Sequence, residues 1–181
     1  MASTVNEVLL LRCLLAEEKE PSRRAYLLNH FLEGFRTTLY RQTLFAEFEL
    51  TAHKMEREGE ALNAESLSKV YAQLNRTYYK GAEADEWDSI EWARIPHFYR
   101  AYYVYQYATG YSSAVAIADG ILSTGNADAY LRFLTMGGSK YPLEELKAAG
   151  VDLTTPQPVK AALNVFANTV RELEALLKEM K

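Results

Sequence analysis

Cysteine and clustered basic residues are the features that this sequence has least of. The single cysteine among 181 residues, Cys13, excludes a disulfide within the chain. It lies on an apolar helix face and is expected to be an inert, buried core side chain. The formal net charge is −4 and no run of lysine or arginine occurs, so we expect no nucleic-acid partner. The first residues lack the basic and apolar segments of a secretion signal, and together with the lone cysteine this predicts a cytoplasmic location.

Histidine is scarce too, with three in the chain, and this restricts the possible chemistry. No His-Glu-x-x-His motif and no paired Glu-x-x-His motifs occur, so no metal site is predicted. Glu49 and His53 lie one helical turn apart, but the charged neighbours of His53 favour a solvated side chain. Apolar neighbours of His30 favour a place at a helix interface. Nucleophilic catalysis is not indicated either, since Cys13 has no nearby histidine and no Gly-x-Ser-x-Gly elbow is present.

Alternating strand patterns are missing, whereas apolar residues recur at three- and four-residue steps along most of the chain. This periodicity predicts an all-α fold, a multi-helix bundle that forms a single region over residues 1–181. The spacing Thr4-x-x-Glu7 predicts the capped start of a first helix. Pro21 marks the start of a second, much longer helix that runs to about Glu58.

Further helices are predicted after residue 60. Asn63 or Ser66 is expected to cap a third helix. An irregular break over residues 81–95 then precedes a tyrosine-rich helix that ends near Leu122. Two shorter helices and one long amphipathic helix are predicted after it.

Residues 94–110 combine one histidine with a dense group of tyrosines, and six of the thirteen tyrosines lie from Tyr99 to Tyr111. A buried phenol must find a hydrogen-bond partner or lose ~1–3 kcal/mol. This density therefore predicts a wall of donors that faces something polar, or else a large buried helix whose hydroxyls are satisfied within the fold. Spacing alone leaves both open. Residues 101–118 carry no charge, but their many polar groups favour a buried helix, so no membrane partner is expected.

A helical wheel divides the tyrosines of this segment into two groups. Tyr102, Tyr105 and Gln106 share a side that is polar at its start and small further along, as the lining of a cleft would be. Tyr103 and Tyr107 fall on another side, where packing against a neighbouring helix is expected. The separation favours a ligand-facing wall, although aromatic packing alone could occupy the same positions.

Parts of the sequence resemble oligoendopeptidase F, in the thimet-oligopeptidase-like family of zinc metallopeptidases. In order and approximate spacing, the resemblance extends over nearly the whole chain. Three segments carry it: Ala2–Glu7, Ile95–Gly110, and residues 137–140 followed by 142–143 and 149–152.

The resemblance implies a fold, a cofactor and roles for particular residues. Members of that family are all-helical, with a deep channel that admits short peptides, and the intact enzymes use zinc. By resemblance, His97, Tyr102 and Tyr105 are catalytic, because they bind the substrate backbone and donate hydrogen bonds to the oxyanion of the tetrahedral intermediate. Five further residues are implied to bind substrate: Tyr99, Gln106, Gly137, Gly138 and Ser139.

The chain departs from the family pattern in its metal ligands. The His-Glu-x-x-His helix would lie upstream of Met1, and the third ligand would lie immediately before it, so the chain resembles a C-terminal portion. We expect this chain to bind no zinc and to be inactive alone. Three hypotheses stay open. In the first, the chain is a C-terminal fragment that supplies the substrate-binding and oxyanion-stabilising wall, and in the second a separate N-terminal piece that carries His-Glu-x-x-His complements it. In the third, the chain is a non-catalytic helical peptide-binding or scaffold module. Because the tyrosine-rich helix of the family packs against helices outside this sequence, self-association is also expected.

Overall fold

The computed structural model describes residues 1–83, 85 and 87–180. The described residues form eight α-helices, one π-helix and two 3₁₀-helices, with no β-strand among them, which confirms the all-α prediction. The α-helices are α1 (Ala2–Glu17), α2 (Pro21–Gly34), α3 (Arg41–Arg57), α4 (Ala64–Tyr78), α5 (Tyr105–Thr124), α6 (Asp128–Met136), α7 (Pro142–Ala148) and α8 (Gln157–Glu179). The π-helix is Phe35–Tyr40, and the 3₁₀-helices are Trp87–Arg94 and Pro96–Tyr99.

Side-chain caps mark the starts of α2 and α4, which begin as predicted, whereas the predicted cap of α1 is wrong. Helix α1 begins at Ala2 with Met1 as its N-cap and no side-chain cap, so Thr4 does not start it. Helix α2 begins at Pro21 as predicted, and the side chain of Glu20 accepts hydrogen bonds from the first backbone N–H groups. Asn63 and Ser66 act together at α4, where each side chain accepts a hydrogen bond from the other's backbone N–H.

The long second helix is present, but it changes its winding near the middle. Helices α2 and α3 flank the π-helix Phe35–Tyr40, which the three- and four-residue spacing of apolar residues did not reveal. Near its end, the hydroxyl of Thr43 donates to the carbonyl of Leu39 at 2.7 Å.

The chain divides into two compact units. The first unit contains residues 1–36 and the chain from Thr109 onward. Within it α1 packs on α2, α2 on α8, and α6 on α7. Its core includes the ring of Phe35, whose centroid lies 5.2, 5.0 and 5.3 Å from those of Phe31, Tyr111 and Phe166. That residues 1–181 form one single helical region stays a prediction.

The second unit contains residues 37–108, and it carries most of the tyrosine-rich segment. Helix α4 packs on α3 and on the 3₁₀-helix Trp87–Arg94, which lies where an irregular break was predicted. The ring of Phe48 lies at the middle of this core, 5.3 Å from Tyr71 and 5.2 Å from Phe98. The buried core residues are Leu44, Phe45, Phe48, Tyr71, Leu74, Ile95 and Val104.

The tyrosine-rich helix starts later than its sequence indicates. Pro96–Tyr99 is a short 3₁₀-helix, and α5 begins only at Tyr105. Of the helices in the described ranges, none has the length and apolar character needed to cross a membrane.

Candidate functional site

The segment from Ile95 to Val104 is fixed at its two ends and open between them. Ile95 and Val104 are buried in the core of the second unit. Between and just beyond these anchors, the side chains of Tyr99, Tyr102 and Tyr105 are 87%, 57% and 51% exposed. Burial of these two aliphatic side chains therefore stabilises a segment that presents Tyr99 and Tyr102 to solvent, and Tyr105 follows in the first turn of α5.

His97 lies half-buried against two tyrosines that were predicted to pack between helices. Its Nε2 atom is 3.1 Å from the hydroxyl oxygen of Tyr107, and that hydroxyl donates to the hydroxyl of Tyr103 at 3.3 Å. The imidazole also stacks on the ring of Tyr103, with centroids 5.6 Å apart and planes 4° from parallel. Tyr103 precedes α5, so the helical wheel placed it wrongly, and its contact with His97 was missed.

Hydrogen bonding lowers the acidity of one member of this cluster, Tyr107. The hydrogen bond that Tyr107 donates to Tyr103 raises the pKa of the Tyr107 hydroxyl, and partial burial acts in the same direction. Arg100 is exposed, and its guanidinium lies 5.0 Å from the centre of the Tyr103 ring. Because Tyr107 donates its proton to Tyr103, the hydroxyl of Tyr103 is the phenol of this cluster that can donate to an oxygen-rich ligand.

Tyr102 has a backbone conformation that no other non-glycine residue in the described ranges shares, with φ of 57°. Its N–H donates to Oε1 of Glu49 at 2.8 Å, and its ring stacks on that of His53 at a centroid distance of 4.9 Å. Glu49 is buried, whereas His53 is exposed. Glu49 and His53, one turn apart on α3, therefore both contact Tyr102, and His53 is exposed as its charged neighbours indicated.

Tyr105 and Gln106 occupy the first turn of α5, where both are exposed. Tyr102 lies before the helix in a turn. The prediction that it shares a helical side with Tyr105 and Gln106 is therefore wrong. All three nevertheless belong to the second unit, together with His97 and Tyr99.

Gly137, Gly138 and Ser139 belong to the first unit, where they follow the end of α6. Gly137 has φ of 61°, a value that favours glycine, so the turn itself explains this residue. The N–H of Ser139 donates to the carbonyl of Met136 at 3.2 Å. Their role in substrate binding stays a prediction.

Within the described ranges, no three His, Cys, Asp or Glu side chains group as ligands of a metal ion. Two sequence-based expectations about these residue types are wrong. Cys13 is exposed, because its side of α1 is uncovered. His30 is exposed as well and stacks on Tyr26, with centroids 6.4 Å apart.

Comparison with known proteins gives consistent matches. Residues 1–165 match the family model for Peptidase family M3. The chain is 50% identical to Oligopeptidase PepF of Bacillus subtilis (strain 168), over 100% of this chain and 28% of that protein. It is 46% identical to Group B oligopeptidase PepB of Streptococcus agalactiae, over 98% of this chain and 30% of that protein.

A crystal structure of oligoendopeptidase-F from Enterococcus faecium matches the fold with a TM-score of 0.94 and 46% identity. The match covers 98% of this chain and 34% of that one. The chain thus spans 28–30% of the length of the two curated relatives above and corresponds to their C-terminal portion.

Proposed function

The chain belongs to peptidase family M3, and from this membership we propose that it forms the part of an oligopeptidase that binds short peptides and stabilises the charge developed during hydrolysis. The family is zinc-dependent and acts on peptides. The described residues contain no group of side chains that could hold a zinc ion. The proposed roles are therefore binding and hydrogen-bonding roles of side chains in this chain.

The exposed donors between His97 and Tyr107 are the observation that carries the proposal. A peptide in extended conformation offers carbonyl and N–H groups along its backbone, and phenols can both donate to and accept from such groups. Tyr99 and Tyr102 are exposed on a segment whose ends, Ile95 and Val104, are buried, and Tyr105 is exposed in the first turn of α5, so little backbone entropy is lost when the three engage a ligand. Their ring faces also suit apolar side chains of a peptide.

The same donors suit the transition state of peptide hydrolysis. Negative charge develops on the carbonyl oxygen of the scissile bond, and donors already in place stabilise it without reorganisation. We assign this role to the hydroxyls of Tyr102 and Tyr105 and to the ring of His97, which would donate from Nδ1 when that nitrogen carries a proton, because Nε2 is engaged with Tyr107. The hydrogen bond to Tyr107 and the stacking on Tyr103 would hold that ring in place.

The proposal also covers zinc binding, the completion of the enzyme and the location of the protein. We propose that the chain alone binds no zinc and does not hydrolyse peptides, and that a separate N-terminal piece carrying His-Glu-x-x-His completes the enzyme. The cytoplasm is the proposed location. Gly137, Gly138 and Ser139 are proposed to bind substrate as well.

Peptide binding can be measured by fluorescence anisotropy with the purified chain and a labelled nonapeptide. We expect His97→Ala and Tyr105→Phe each to weaken binding about 3- to 10-fold, the effect of one lost hydrogen bond. Tyr26→Phe is the matched control, because Tyr26 is an exposed tyrosine beside a histidine in the other unit. Equal affinities for all four proteins would refute the proposed binding site.

Catalysis needs a separate measurement with a quenched fluorescent oligopeptide, added zinc and a chelator control. The chain alone is expected to give no cleavage, and chelator-sensitive cleavage by it would contradict the proposal. In an assembly with a His-Glu-x-x-His piece, Tyr105→Phe should lower turnover ~10²–10³-fold at unchanged zinc content. Zinc loss in that variant would show a structural role instead, and binding without any cleavage in the assembly would favour a non-catalytic peptide-binding module.

A further inference from the structure

Tyr102 adopts a backbone conformation that its side chain disfavours. A positive φ brings Cβ close to the neighbouring carbonyl oxygen, so residues other than glycine and asparagine rarely adopt it. With φ of 57°, Tyr102 is the only non-glycine residue in the described ranges that does so. Such a conformation persists where surrounding contacts impose it, and these places are often functional sites.

The contacts that impose this conformation come from α3. Oε1 of Glu49 accepts the N–H of Tyr102 at 2.8 Å across 53 residues of sequence. Glu49 is only 6% exposed, and its neighbour Phe48 is packed in the core of the second unit, so the carboxylate has little freedom. One turn later His53 stacks on the ring of Tyr102, with planes 22° from parallel.

We propose that Glu49 is a positioning residue for Tyr102, with His53 supporting the phenol ring from the side. The carboxylate fixes the backbone of Tyr102, and the imidazole limits the rotation of its side chain, so the hydroxyl is held in one direction. The inference rests on the proposed function in one respect: Tyr102 must contact the peptide for its positioning to affect binding. Neither Glu49 nor His53 touches the peptide in this scheme.

The backbone contact can be tested without any ligand, by amide hydrogen exchange and ¹H shift of Tyr102 in the ¹⁵N-labelled chain. A hydrogen bond to a charged acceptor is stronger than a neutral one, so Glu49→Ala should speed exchange of the Tyr102 amide by at least about tenfold. Glu49→Gln keeps an acceptor oxygen and similar volume, so an intermediate rate is expected. It also serves as the test if Glu49→Ala does not fold.

Glu47→Ala is the matched control, because Glu47 is a glutamate on the same helix that accepts a hydrogen bond from Tyr78 instead. Exchange of the Tyr102 amide should be unchanged in this variant. If exchange in Glu49→Gln and Glu49→Ala equals that of the unaltered chain, Glu49 does not position Tyr102.

Affinity for the labelled nonapeptide then tests the consequence. Glu49→Ala and Tyr102→Ala should weaken binding by similar factors, and the double variant should bind no more weakly than Tyr102→Ala, because Glu49 acts through Tyr102. Additive losses would overturn the assignment, and so would full affinity of Glu49→Ala beside a weakened Tyr102→Ala. If the unaltered chain binds no peptide, the proposed function fails, and the exchange rates alone decide whether Glu49 holds Tyr102.

Discussion

Gly34 shows how a single missing side chain shapes the core of the first unit. It lies at the end of α2, and a Cβ atom placed on it would lie 2.6 Å from the hydroxyl oxygen of Tyr111. The ring of Tyr111 is buried and packs edge-on against Phe35, so it has little room to shift. Close packing of this kind makes even one added methyl group costly.

We expect Gly34→Ala to lower the free energy of unfolding by about 1–3 kcal/mol, measured by urea denaturation. The clash outweighs the gain in helix propensity of up to about 1 kcal/mol. Tyr111→Phe in the same chain should recover much of the loss, since it removes the hydroxyl. Gly120→Ala is the control, because nothing lies within 4 Å of its added Cβ, and it should be neutral or stabilising. A similar gain in both alanine variants would show that Tyr111 moves aside freely.

Residue composition predicted part of the candidate site, and the remainder depends on contacts between distant residues. The density of tyrosines beside His97 indicated an aromatic cluster that presents polar groups, and three of those phenols are exposed. The conformation of Tyr102 was not predictable, because Glu49 stabilises it from 53 residues away. The exposure of Cys13 was not predictable either, because an apolar helix face does not reveal whether another element covers it.

At the scale of elements, one carboxylate ties the 3₁₀-helix Trp87–Arg94 to α3 and α4. Glu91 accepts a hydrogen bond from the hydroxyl of Tyr71 at 2.8 Å and pairs with Arg41 and with Arg94. Burial tends to raise the pKa of Glu91, but the hydrogen bonds from Tyr71 and Arg41 outweigh it and lower the pKa. Burial and the hydrogen bond to Glu91 raise the pKa of Tyr71.

Glu91→Gln should therefore destabilise the second unit by about 2–3 kcal/mol at pH 7, because it leaves Arg41 without its charged partner. The stabilisation from Glu91 is present above its unfolded pKa of ~4.3 and is lost as pH falls through the lower folded pKa. The destabilisation that Glu91→Gln causes should thus be smaller at pH 3 than at pH 7. Urea denaturation at both pH values measures this.

An exposed acceptor on α3 provides the control for that experiment. Glu47→Gln removes the charge that accepts the hydroxyl of Tyr78, and because Glu47 is exposed the loss should stay below ~1 kcal/mol. A constant difference between Glu91→Gln and the unaltered chain from pH 7 to pH 3 would mean that the charge of Glu91 contributes nothing.

The elements themselves were predictable where a local signal marks their ends. Pro21 and the Asn63–Ser66 pair carry capping chemistry in their own side chains, and helices begin there as predicted. No glycine or proline separates Tyr99 from Tyr105, so the sequence did not indicate that α5 starts late. The π-helix Phe35–Tyr40 likewise keeps the apolar spacing of an α-helix, and only the backbone coordinates distinguish it.

At the scale of the whole molecule, apolar surface is exposed on elements that would ordinarily be covered. One side of α1 is buried, and it contains Val5, Val8, Leu11 and Leu15. On another side of the same helix, Leu10 and Leu14 are 60% and 42% exposed. Leu10 and Leu14 lie one helical turn apart and form an apolar patch that association would remove from water. We therefore expect the isolated chain to self-associate through surfaces that include this side of α1.

Sedimentation velocity over a concentration series measures this expectation. Burial of a leucine side chain contributes about 1.5–3 kcal/mol, so replacing both with lysine in Leu10→Lys/Leu14→Lys should raise the dissociation constant at least about tenfold. Both side chains are exposed, so the fold should tolerate the change. Leu50→Lys serves as the control, because Leu50 is 63% exposed but lies on α3 in the other unit. A monomer at every concentration, with a single cooperative melting transition, would show that the exposed side of α1 needs no cover.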